Sequence, residues 1–579
     1  MSSDAELRRT INGEDHDVNR HRLWAAALAL ITAALIVAGC GSASTSTGGG
    51  VALKASDLNA QPRDKVKDGG VLRWAIDEFP SNWNYNQVDG TLGAAYDVEA
   101  ALMPTTFNVD EKANVTPNLD YLVSAKVTST TPQVITYELN RKARWSDGKP
   151  ITAADYIAQW KALRSATSDY QVSSSTGYES ISSTTVGKDA YEVVTTYSKP
   201  FADWQSIFNP LYPASANATA AAFNKGWINK IPVTAGPFKL EKIDQTAQLI
   251  TVVRDPAWWG KPAKLDKIVF RTLASDAIVS SFANGEVDFG EIGPDPSGYK
   301  RALGVTGGAV REAGGPDFRH FTMNGASPML SDQRVRQAFT LGVDRQVIAR
   351  ADLTGLNWPT ATLDNHFLVN TQAGYKDNTG GLGTYDTAKA GTLLDDAGWK
   401  LNGAFREKGG KQLKLRFVIP AGVPTSKQEG ELVQGMMKKI GVNLDLQTVP
   451  SDAFFDKYVT PGNFDITAFS WIGTPFPISS AQSIYAKPTK DAKGELQIQQ
   501  NYARTGTAAI DKLMGDAATT LDKGKALDLI NQADAQLWQL GHSLTLYQRP
   551  QLLAVKATLA NLGAFGFKSP VYEAMGFGK

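Results

Sequence analysis

Few residues of this 579-residue chain are of the types that carry out covalent or metal chemistry, and they are widely spaced. The sequence has five histidines and one cysteine, and it contains no His-Glu-x-x-His, Cys-x-x-Cys or phosphate-binding glycine motif. Residues 541–545 (Gly-His-Ser-Leu-Thr) approach the Gly-x-Ser-x-Gly pattern of hydrolases, but the last glycine is missing and a strand is expected after the serine. We therefore expect no enzyme, no bound cofactor and no dedicated metal site.

An acidic stretch contains Glu286, Asp288, Glu291 and Asp295. Clustered carboxylates are the ligands that calcium prefers, so a calcium site is one interpretation. The alternative, which we favour, is a turn-rich acidic surface.

The single cysteine, Cys40, lies at the end of an apolar run. Residues 23–37 are apolar, a basic group at residues 20–22 precedes them, and small residues stand directly before Cys40. This arrangement is typical of a secretory signal, and with a cysteine in that place it resembles the lipobox of bacterial lipoproteins. The resemblance implies that residues 1–39 are removed and that the thiol of Cys40 carries the lipid.

The alternative to a cleaved signal is an uncleaved transmembrane helix. The apolar run is shorter than the roughly 20 residues that span a bilayer comfortably, which favours the signal. Residues 1–19 contain five acids before the basic group, an unusual start for a signal. This indicates a misassigned start, with translation beginning at Val18; a genuine cytoplasmic extension is the alternative.

The composition after residue 39 is that of a large globular protein outside the cytoplasm. About 540 residues are too many for one core and suggest several domains. A net charge of +1 gives no basic surface for nucleic acid. With Cys40 acylated, no thiol remains for a disulfide. The 13 Trp, 18 Tyr and 23 Phe suit a large aromatic cleft as well as a core.

Strand-like and helix-like segments alternate along the chain, which predicts a mixed α/β fold. A Gly/Ser/Thr-rich stretch after Cys40 is expected to act as a flexible tether, and residues 40–65 are assigned to it. Helices are predicted at residues 153–164, after the N-cap Thr152, and at 523–540, ended by Gly541.

Residues 137–155 carry the most specific motif: Tyr-Glu-Leu-Asn-Arg-Lys-Ala-Arg-Trp-Ser-Asp-Gly-Lys-Pro-Ile-Thr-Ala-Ala-Asp. From the residues alone this is a strand, an Asp-Gly turn and a helix whose Thr152 and Asp155 form a capping pair. The motif also closely resembles the signature of the peptide- and nickel-binding receptors of ABC importers, called cluster C or family 5 solute-binding proteins. Further blocks follow in that family's order, at residues 235–238, 254–260, 321–324, 332–338, 393–399 and 440–442.

The resemblance implies a two-lobed Venus-flytrap fold, type II cluster C, with an extra inserted domain. Lobe I would comprise residues 66–116, 229–321 and 544–579, with the insertion at 117–228, and lobe II would comprise 322–543. Two strands, near residues 320–324 and 543–547, would cross between the lobes. The resemblance further implies a monomer that closes around a peptide or peptide-like solute and delivers it to a permease with a cytoplasmic ATPase.

A ligand-facing loop is implied in lobe II at residues 469–477, which gives Trp471, Gly473, Thr474 and Phe476 as candidate ligand-binding residues; core packing is the alternative for Trp471. Peptide-binding relatives usually carry an aspartate a few residues after this Trp-x-Gly, and it pairs with the α-ammonium of the peptide. No acid occurs here between Asp465 and Asp491.

An ammonium buried without a counter-charge is costly. Either another carboxylate, for which Asp77, Glu78 and Asp89 are candidates, replaces the missing acid, or the ligand has no free amine at this place. We expect from the missing acid that N-terminal acetylation of a peptide weakens binding little.

A second group of candidates comes from the loop after the first strand and from the crossing strands. Trp83, Asn84 and Tyr85 would combine stacking with hydrogen bonding, or form a surface loop whose asparagines cap turns. Arg319 could pair with a ligand carboxylate, or lie between the lobes or at the surface. Tyr547 is a similar candidate on the second crossing strand.

These observations predict a lipid-anchored solute-binding protein at the outer face of the cytoplasmic membrane, capturing peptides. A non-transport lipoprotein, either a signal receptor or a carrier of a glycolipid or cell-wall intermediate, is the alternative. A haem or metal-chelate binder is a third possibility, because aromatic walls would suit a haem.

Overall fold

The computed structural model describes residues 53–164, 169–490 and 493–579. Cys40, the expected signal and most of the expected tether lie outside these residues. Among the residues that the structure describes, no helix combines the length and the apolar character needed to cross a bilayer.

Strands are numbered in chain order. Their bounds are β1 Val71–Ile76, β2 Phe107–Val109, β3 Val115–Pro117, β4 Leu122–Thr130, β5 Gln133–Leu139, β6 Ile181–Val186, β7 Glu192–Tyr197, β8 Phe238–Asp244, β9 Leu249–Arg254, β10 Lys267–Thr272, β11 Phe289–Glu291, β12 Gly308–Met323, β13 Lys400–Asn402, β14 Phe405–Lys408, β15 Lys411–Gln412, β16 Lys414–Pro420, β17 Asn443–Val449, β18 Ile466–Ile472, β19 Thr489–Lys490, β20 Leu496–Gln497, β21 Ser543–Lys556, β22 Leu559–Ala560 and β23 Gly576–Phe577.

The helices are numbered in the same way. Their bounds are α1 Gly93–Glu99, α2 Ala153–Leu163, α3 Ala214–Asn217, α4 Ala220–Lys225, α5 Ser275–Ala283, α6 Pro296–Leu303, α7 Gln333–Gly342, α8 Arg345–Asp352, α9 Thr387–Asp396, α10 Pro424–Lys439, α11 Pro477–Tyr485, α12 Ala508–Thr519 and α13 Lys523–Leu540.

Local sequence signals explain several of these bounds. Helix α2 begins after Thr152, and Thr152 and Asp155 form the expected reciprocal capping box. Helix α13 ends at Gly541, whose left-handed backbone (φ 62°) lets its amide bond back to the last turn. Both features were predicted because capping chemistry depends on neighbours within a few residues.

A ten-stranded mixed sheet connects the two lobes, in the order β17-β16-β18-β12-β21-β11-β1-β10-β9-β8. The strands β16–β18 belong to lobe II, and β1 with β8–β11 to lobe I. A separate four-stranded sheet, in the order β4-β5-β7-β6, lies within the inserted region. The mixed α/β, two-lobed fold with an insertion is confirmed.

Strands β12 and β21 pair with each other in both lobes. Their pairing is continuous from Gly308 to Gly314, interrupted up to Phe318, and then resumes. Pro316 lies in the interruption and has no backbone N–H to donate. The crossing strands are thus longer than expected, and their register break precedes the predicted crossing at residues 320–324. The exact lobe boundaries stay a prediction.

Each lobe has its own hydrophobic core. One large buried cluster fills lobe I and the inserted region and includes Trp74, Tyr137 and Phe238. A second cluster in lobe II includes Phe417 and Trp538. Separate cores are what allow two lobes to move as bodies about the strands that join them.

Candidate ligand-binding cleft

Strand ends from both lobes face the same cleft. Strands β1, β10 and β11 run parallel in lobe I, and β16, β17 and β18 run parallel in lobe II. In open parallel sheets, ligands bind beyond the carboxyl ends of the strands. Asp77 follows β1, Glu291 ends β11 and Gly473 follows β18, so these ends carry candidate binding residues.

Two contiguous cavities occupy the cleft. The first, the acidic pocket, has a volume of about 390 Å³ and is lined by Asp77, Asp97 and Glu291 together with Trp74 and residues 292–294. The second, the aromatic pocket, has a volume of about 470 Å³. Both are lined by Asp97, Gln551, Phe565 and Pro570, so they lie side by side and share a wall.

Asp97, on helix α1, stands between the two pockets. Burial raises the pKa of its carboxyl to about 7, and the nearby charges of Glu291 and Asp77 add to the shift. None of these three carboxylates hydrogen-bonds to a side chain or backbone group of the described residues. The acidic pocket therefore holds negative charge that the protein leaves without a close partner.

Glu291 has a raised pKa for the same reasons. Burial is the largest cause, followed by the charge of Asp317; the guanidinium of Arg549 partly offsets both. Arg549 itself is bound to Asp317, with 2.5 Å between Nη1 and Oδ2. Arg549 is thus already paired, as is Lys568 of the aromatic pocket, which is bound to Glu111, and this leaves the acidic pocket favourable to a positively charged ligand group.

The aromatic pocket is formed by both lobes. Lobe I contributes Tyr85 and Tyr96, whose ring centroids lie 5.8 Å apart, and Phe107. Lobe II contributes the loop 473–476, which ends with Phe476. A ligand in this pocket would contact both lobes at once.

Two backbone hydrogen bonds fix this loop. The amide of Gly473 donates to the carbonyl of Pro316 at 2.8 Å, and the side-chain amide of Gln372 donates to the carbonyl of Thr474 at 2.9 Å. Pro316 lies in the register break of β12, so the loop is attached directly to the strand that joins the lobes.

Four of the predicted ligand-binding residues line the aromatic pocket: Tyr85, Gly473, Thr474 and Phe476. Of the acids proposed as substitutes for the missing aspartate, Asp77 lies in the acidic pocket, whereas neither Glu78 nor Asp89 lines either pocket. Their contact with a ligand stays a prediction.

Trp83 and Asn84 belong to the core and not to the cleft, which corrects the expectation for both. Both are 0% exposed. The side-chain amide of Asn84 donates to the carbonyl of Phe223, and its oxygen accepts from the amide of Asn86. The loop after β1 turns inward at Asn82 and Asn84 because these asparagines bond to a segment about 140 residues away, whereas Tyr85 faces the aromatic pocket.

Arg319 and Tyr547 are also buried away from the cleft, at 7% and 4% exposure. The guanidinium of Arg319 binds Glu429 and the hydroxyl of Ser426. The hydroxyl of Tyr547 donates to Asp352, whose pKa is raised by burial and by the charge of Glu429. These residues form an internal polar network in lobe II, so the expected ligand carboxylate contact is replaced by a structural one.

Trp471 lies in an aromatic stack. Its ring is parallel to that of Tyr502 (2° between planes) and nearly parallel to that of His320 (16°), each with centroids 5.9 Å away, and it meets Phe469 edge-on. The side chain is half-buried and does not line the two pockets. The stack gives Trp471 a packing role, and its contact with a ligand stays a prediction.

The acidic stretch is dispersed into separate interactions. Asp288 pairs with Arg73, Glu286 pairs with Arg271, and Asp295 caps helix α6. Within the described residues, no group of three or more His, Cys, Asp or Glu is placed to hold a metal ion. The surface interpretation thus fits Glu286 and Asp295, whereas Asp288 is buried and Glu291 lines the acidic pocket.

The serine of the segment 541–545 is buried, and its neighbours pack α13 against β21. Ser543 is 5% exposed; its hydroxyl meets Nδ1 of His542, while the ring of His366 contacts Asp534 and the backbone carbonyl of Ser543. These groups hold α13 against β21.

The sequence did not point to Asp97 or to the segment 565–570. Asp97 lines both pockets, and the segment lines the aromatic pocket. Asp97 lies in an ordinary helix, and nothing in its local sequence indicates that it lines the same pocket as Glu291. The sequence shows that residues 286–295 are acidic, but it does not show that Glu291 faces the cleft.

Residues 119–493 match the profile of the bacterial extracellular solute-binding proteins, family 5 (middle region). The chain belongs to this family. Its fold, with the cleft between lobes, is the one that solute-binding proteins of ABC importers use.

Relatives in the family include the oligopeptide-binding protein OppA of Mycobacterium tuberculosis, 36% identical over 99% of this chain and 97% of the relative. A probable monoacyl phosphatidylinositol tetramannoside-binding protein, LpqW, of the same species is 26% identical over 56% of this chain and 50% of its own length.

Two solved structures are similar throughout. The periplasmic EDTA-binding protein EppA has a TM-score of 0.80 and 27% identity, covering 92% of this chain and 100% of its own. The oligopeptide-binding protein AppA of Bacillus subtilis, in complex with a nonapeptide, has a TM-score of 0.69 and 22% identity, covering 89% and 100%. The second likeness is one of fold.

Proposed function

We propose that this chain captures oligopeptides with a free amino terminus outside the cytoplasm and delivers them to an ABC permease. The observation that carries the proposal is that the acidic pocket lies directly beside the aromatic pocket and shares four lining residues with it. One end of the cleft suits an ammonium group, and the other suits a chain of variable side chains.

Closure would follow from contact with both lobes. A ligand in the aromatic pocket touches Tyr85 of lobe I and Phe476 of lobe II, so it binds the closed state better than the open one. A shift from 1:99 to 99:1 in favour of the closed state needs about 5.5 kcal/mol of differential binding. A peptide main chain and several buried side chains can supply that amount.

The acidic pocket would replace the aspartate that is missing after Trp471. Asp97 and Glu291 have raised pKa values because they are crowded and partly desolvated, and a bound ammonium would relieve this. The amine would then bind to lobe I, whereas the usual family acid lies in lobe II. Since this pocket exists, we now expect acetylation of the peptide to matter, contrary to the expectation from the missing acid alone.

The same charge disfavours the alternatives. EDTA, the propionates of haem and the phosphate of a phosphatidylinositol are anions, and the acidic pocket would repel them. The full-length identity to OppA, compared with half-length identity to LpqW, also supports the peptide.

Titration calorimetry with pentaalanine and N-acetyl-pentaalanine tests the proposal. We expect the free-amine peptide to bind at least about tenfold more tightly, because loss of a buried charge pair costs 1.4 kcal/mol or more. Native mass spectrometry of the purified chain should show co-purified peptides. Equal affinity for the two peptides would overturn the amine assignment, and binding of glycolipid or metal chelate alone would overturn the peptide assignment.

We further propose that Cys40 carries a lipid that anchors the monomeric protein at the outer face of the cytoplasmic membrane. The support is the basic group, the apolar run and the small residues before Cys40. Labelled palmitate should be incorporated into the wild-type chain and not into Cys40→Ser, and the variant should leave the membrane fraction. Labelling of the variant would contradict the assignment.

A further inference from the structure

The inserted region meets lobe II through Ala202 and Asp203. The amide of Ala202 donates to the carbonyl of Ala518, near the end of helix α12, at 2.7 Å. The carboxylate of Asp203 accepts from the amide of Ser479, in the first turn of helix α11, at 2.8 Å. Both hydrogen bonds join parts of the chain that belong to different lobes.

Helix α11 has no cap of its own. Its N-cap position is Phe476, which has no side-chain acceptor, and the next residue is Pro477. The first amides of a helix need acceptors, and a carboxylate there also interacts favourably with the helix dipole. Asp203 supplies from the inserted region the cap that the local sequence of α11 lacks.

The surroundings of Asp203 are enclosed. A small cavity of about 100 Å³ lies beside it, lined by side chains of the inserted region and of lobe II. Burial raises the pKa of Asp203, against the hydrogen bonds from Ser479 and the positive charge of Lys523, which lower it. A carboxylate in such a place is bound by specific partners and is not a loose surface contact.

The capped turn is also part of the ligand cleft. Phe476 is the N-cap residue of α11 and lines the aromatic pocket, where a ligand would contact it. The same turn therefore faces the ligand on one side and Asp203 on the other.

We infer that Asp203 is a positioning residue for closure: it caps α11 only when the lobes are closed, and so holds the closed state and the ligand-facing turn together. The inference needs only a solute-binding function, and not a particular solute. In the open state the first turn of α11 loses an acceptor and Asp203 returns to water. The contact thus slows opening without taking part in the encounter with ligand.

Four full-length chains in detergent micelles test this: wild type, Asp203→Ala, Asp203→Asn, which keeps an acceptor oxygen, and the control Asp189→Asn. Asp189 bonds only to Arg141 and Tyr191, within the inserted region. Stopped-flow fluorescence with pentaalanine measures association and dissociation rates, and calorimetry measures the unfolding temperature without ligand.

We expect Asp203→Ala to release pentaalanine about three- to tenfold faster, the effect of losing one cap. The association rate and the unfolding temperature should stay unchanged, Asp203→Asn should retain part of the effect, and Asp189→Asn should match the wild type. An unchanged dissociation rate in Asp203→Ala would overturn the inference. A lower unfolding temperature of ligand-free Asp203→Ala that accounts for the whole effect would overturn it too.

Hydrogen exchange on the chains as purified, with the solute that they retain bound and the lobes closed, separates this result from failure of the peptide proposal. If pentaalanine does not bind, the proposed function fails, but the contact of Asp203 with helix α11 is still measurable. The amides of Ser479 and Ala202 should then exchange faster together in Asp203→Ala. Faster exchange at Ser479 alone indicates a local cap, and equal exchange in all four chains indicates no contact; either result overturns the inference.

Discussion

Arg319 and Glu429 form a two-point ion pair inside lobe II, with 2.7 Å between Nε and Oε1 and 2.5 Å between Nη2 and Oε2. Arg319 lies on β12 just beyond its register break, and Glu429 lies on α10. The pair therefore fastens the joining strand to a helix of lobe II. This gives the end of the hinge a fixed orientation within that lobe.

Removing Arg319 should destabilise the fold strongly. Arg319→Ala leaves Glu429 buried beside Asp352 without a counter-charge, and breaking a buried pair in this way costs about 3–5 kcal/mol. Urea unfolding measures the change. Arg334→Ala removes an arginine from a more exposed pair with Asp332 and should cost less than about 1 kcal/mol. Equal losses of the free energy of unfolding in the two variants would mean that burial does not strengthen the pair of Arg319 with Glu429.

Asp97→Asn should stabilise the ligand-free protein at high pH. The pKa of Asp97 is about 7 in the fold, above its ordinary value, so its contribution to stability is full below about pH 4 and is lost as the pH rises through 7. One pKa unit corresponds to about 1.4 kcal/mol, and water in the pocket screens part of the effect, so we expect a gain of about 2 kcal/mol at pH 8.

Measuring the free energy of unfolding of Asp97→Asn and of the wild type at several pH values shows the direction of the effect. The advantage of Asp97→Asn over the wild type should shrink between pH 8 and pH 4. The variant should also bind pentaalanine at least about tenfold more weakly, since binding and stability compete at this carboxyl. A variant that is no more stable at pH 8 than at pH 4, relative to wild type, contradicts the prediction.

The affinity of the wild type for a free-amine peptide should fall as the pH drops from 8 to 5. A proton on Asp97 competes with the ligand ammonium, because Asp97 titrates near pH 7. Glu291, Asp77 and Asp317 face the same region and add negative charge, and Arg549 opposes them. Calorimetry on pentaalanine checks this, and N-acetyl-pentaalanine should show a flatter profile. An affinity that rises toward pH 5 would contradict the assignment.

Trp471→Ala should lower stability as well as affinity. The ring lies parallel to those of Tyr502 and His320, so its removal loses both contacts; for a half-buried aromatic side chain we expect a loss of about 2–3 kcal/mol in the free energy of unfolding. Trp471→Phe should recover about half of the loss. Urea unfolding of the ligand-free chain decides: an unchanged free energy of unfolding would return Trp471 to a purely ligand-facing role.

Gly473→Ala should weaken ligand binding more than it weakens the fold. A Cβ at this position would lie 2.8 Å from the carbonyl of Pro316, which displaces the loop from the joining strand. We expect about tenfold lower affinity, corresponding to 1.4 kcal/mol. At Gly515, in the middle of α12, a Cβ meets nothing within 4 Å, and Gly515→Ala should stabilise the protein by about 0.5–1 kcal/mol. Similar affinities for both variants would argue against a fixed loop.

Features that depend on neighbours in sequence were predictable. The capping box of Thr152 with Asp155 and the stop at Gly541 follow from local hydrogen bonding, and the order of motif blocks was enough for the fold and the family. The loop after Trp471 lines the aromatic pocket, and its contact with a ligand stays a prediction.

Features that depend on partners distant in sequence were not predictable. Trp83 and Asn84 looked like cleft residues because nothing nearby in sequence reveals that Phe223 accepts a hydrogen bond from Asn84. Arg319 looked available to a ligand because its partner Glu429 is 110 residues away. The first half of β12 and the second half of β21 were missed, because the glycines and prolines at the register break indicate a turn.

The sheet that passes through both lobes makes them inseparable as folding units. Strands β12 and β21 supply hydrogen-bonded neighbours to β18 on one side and to β11 on the other. Any cut that released one lobe would leave a bare strand edge, the kind of surface that recruits other chains into aggregates. Although each lobe has a core of its own, dissecting the chain into halves should therefore yield insoluble fragments, and the intact polypeptide should melt in one step.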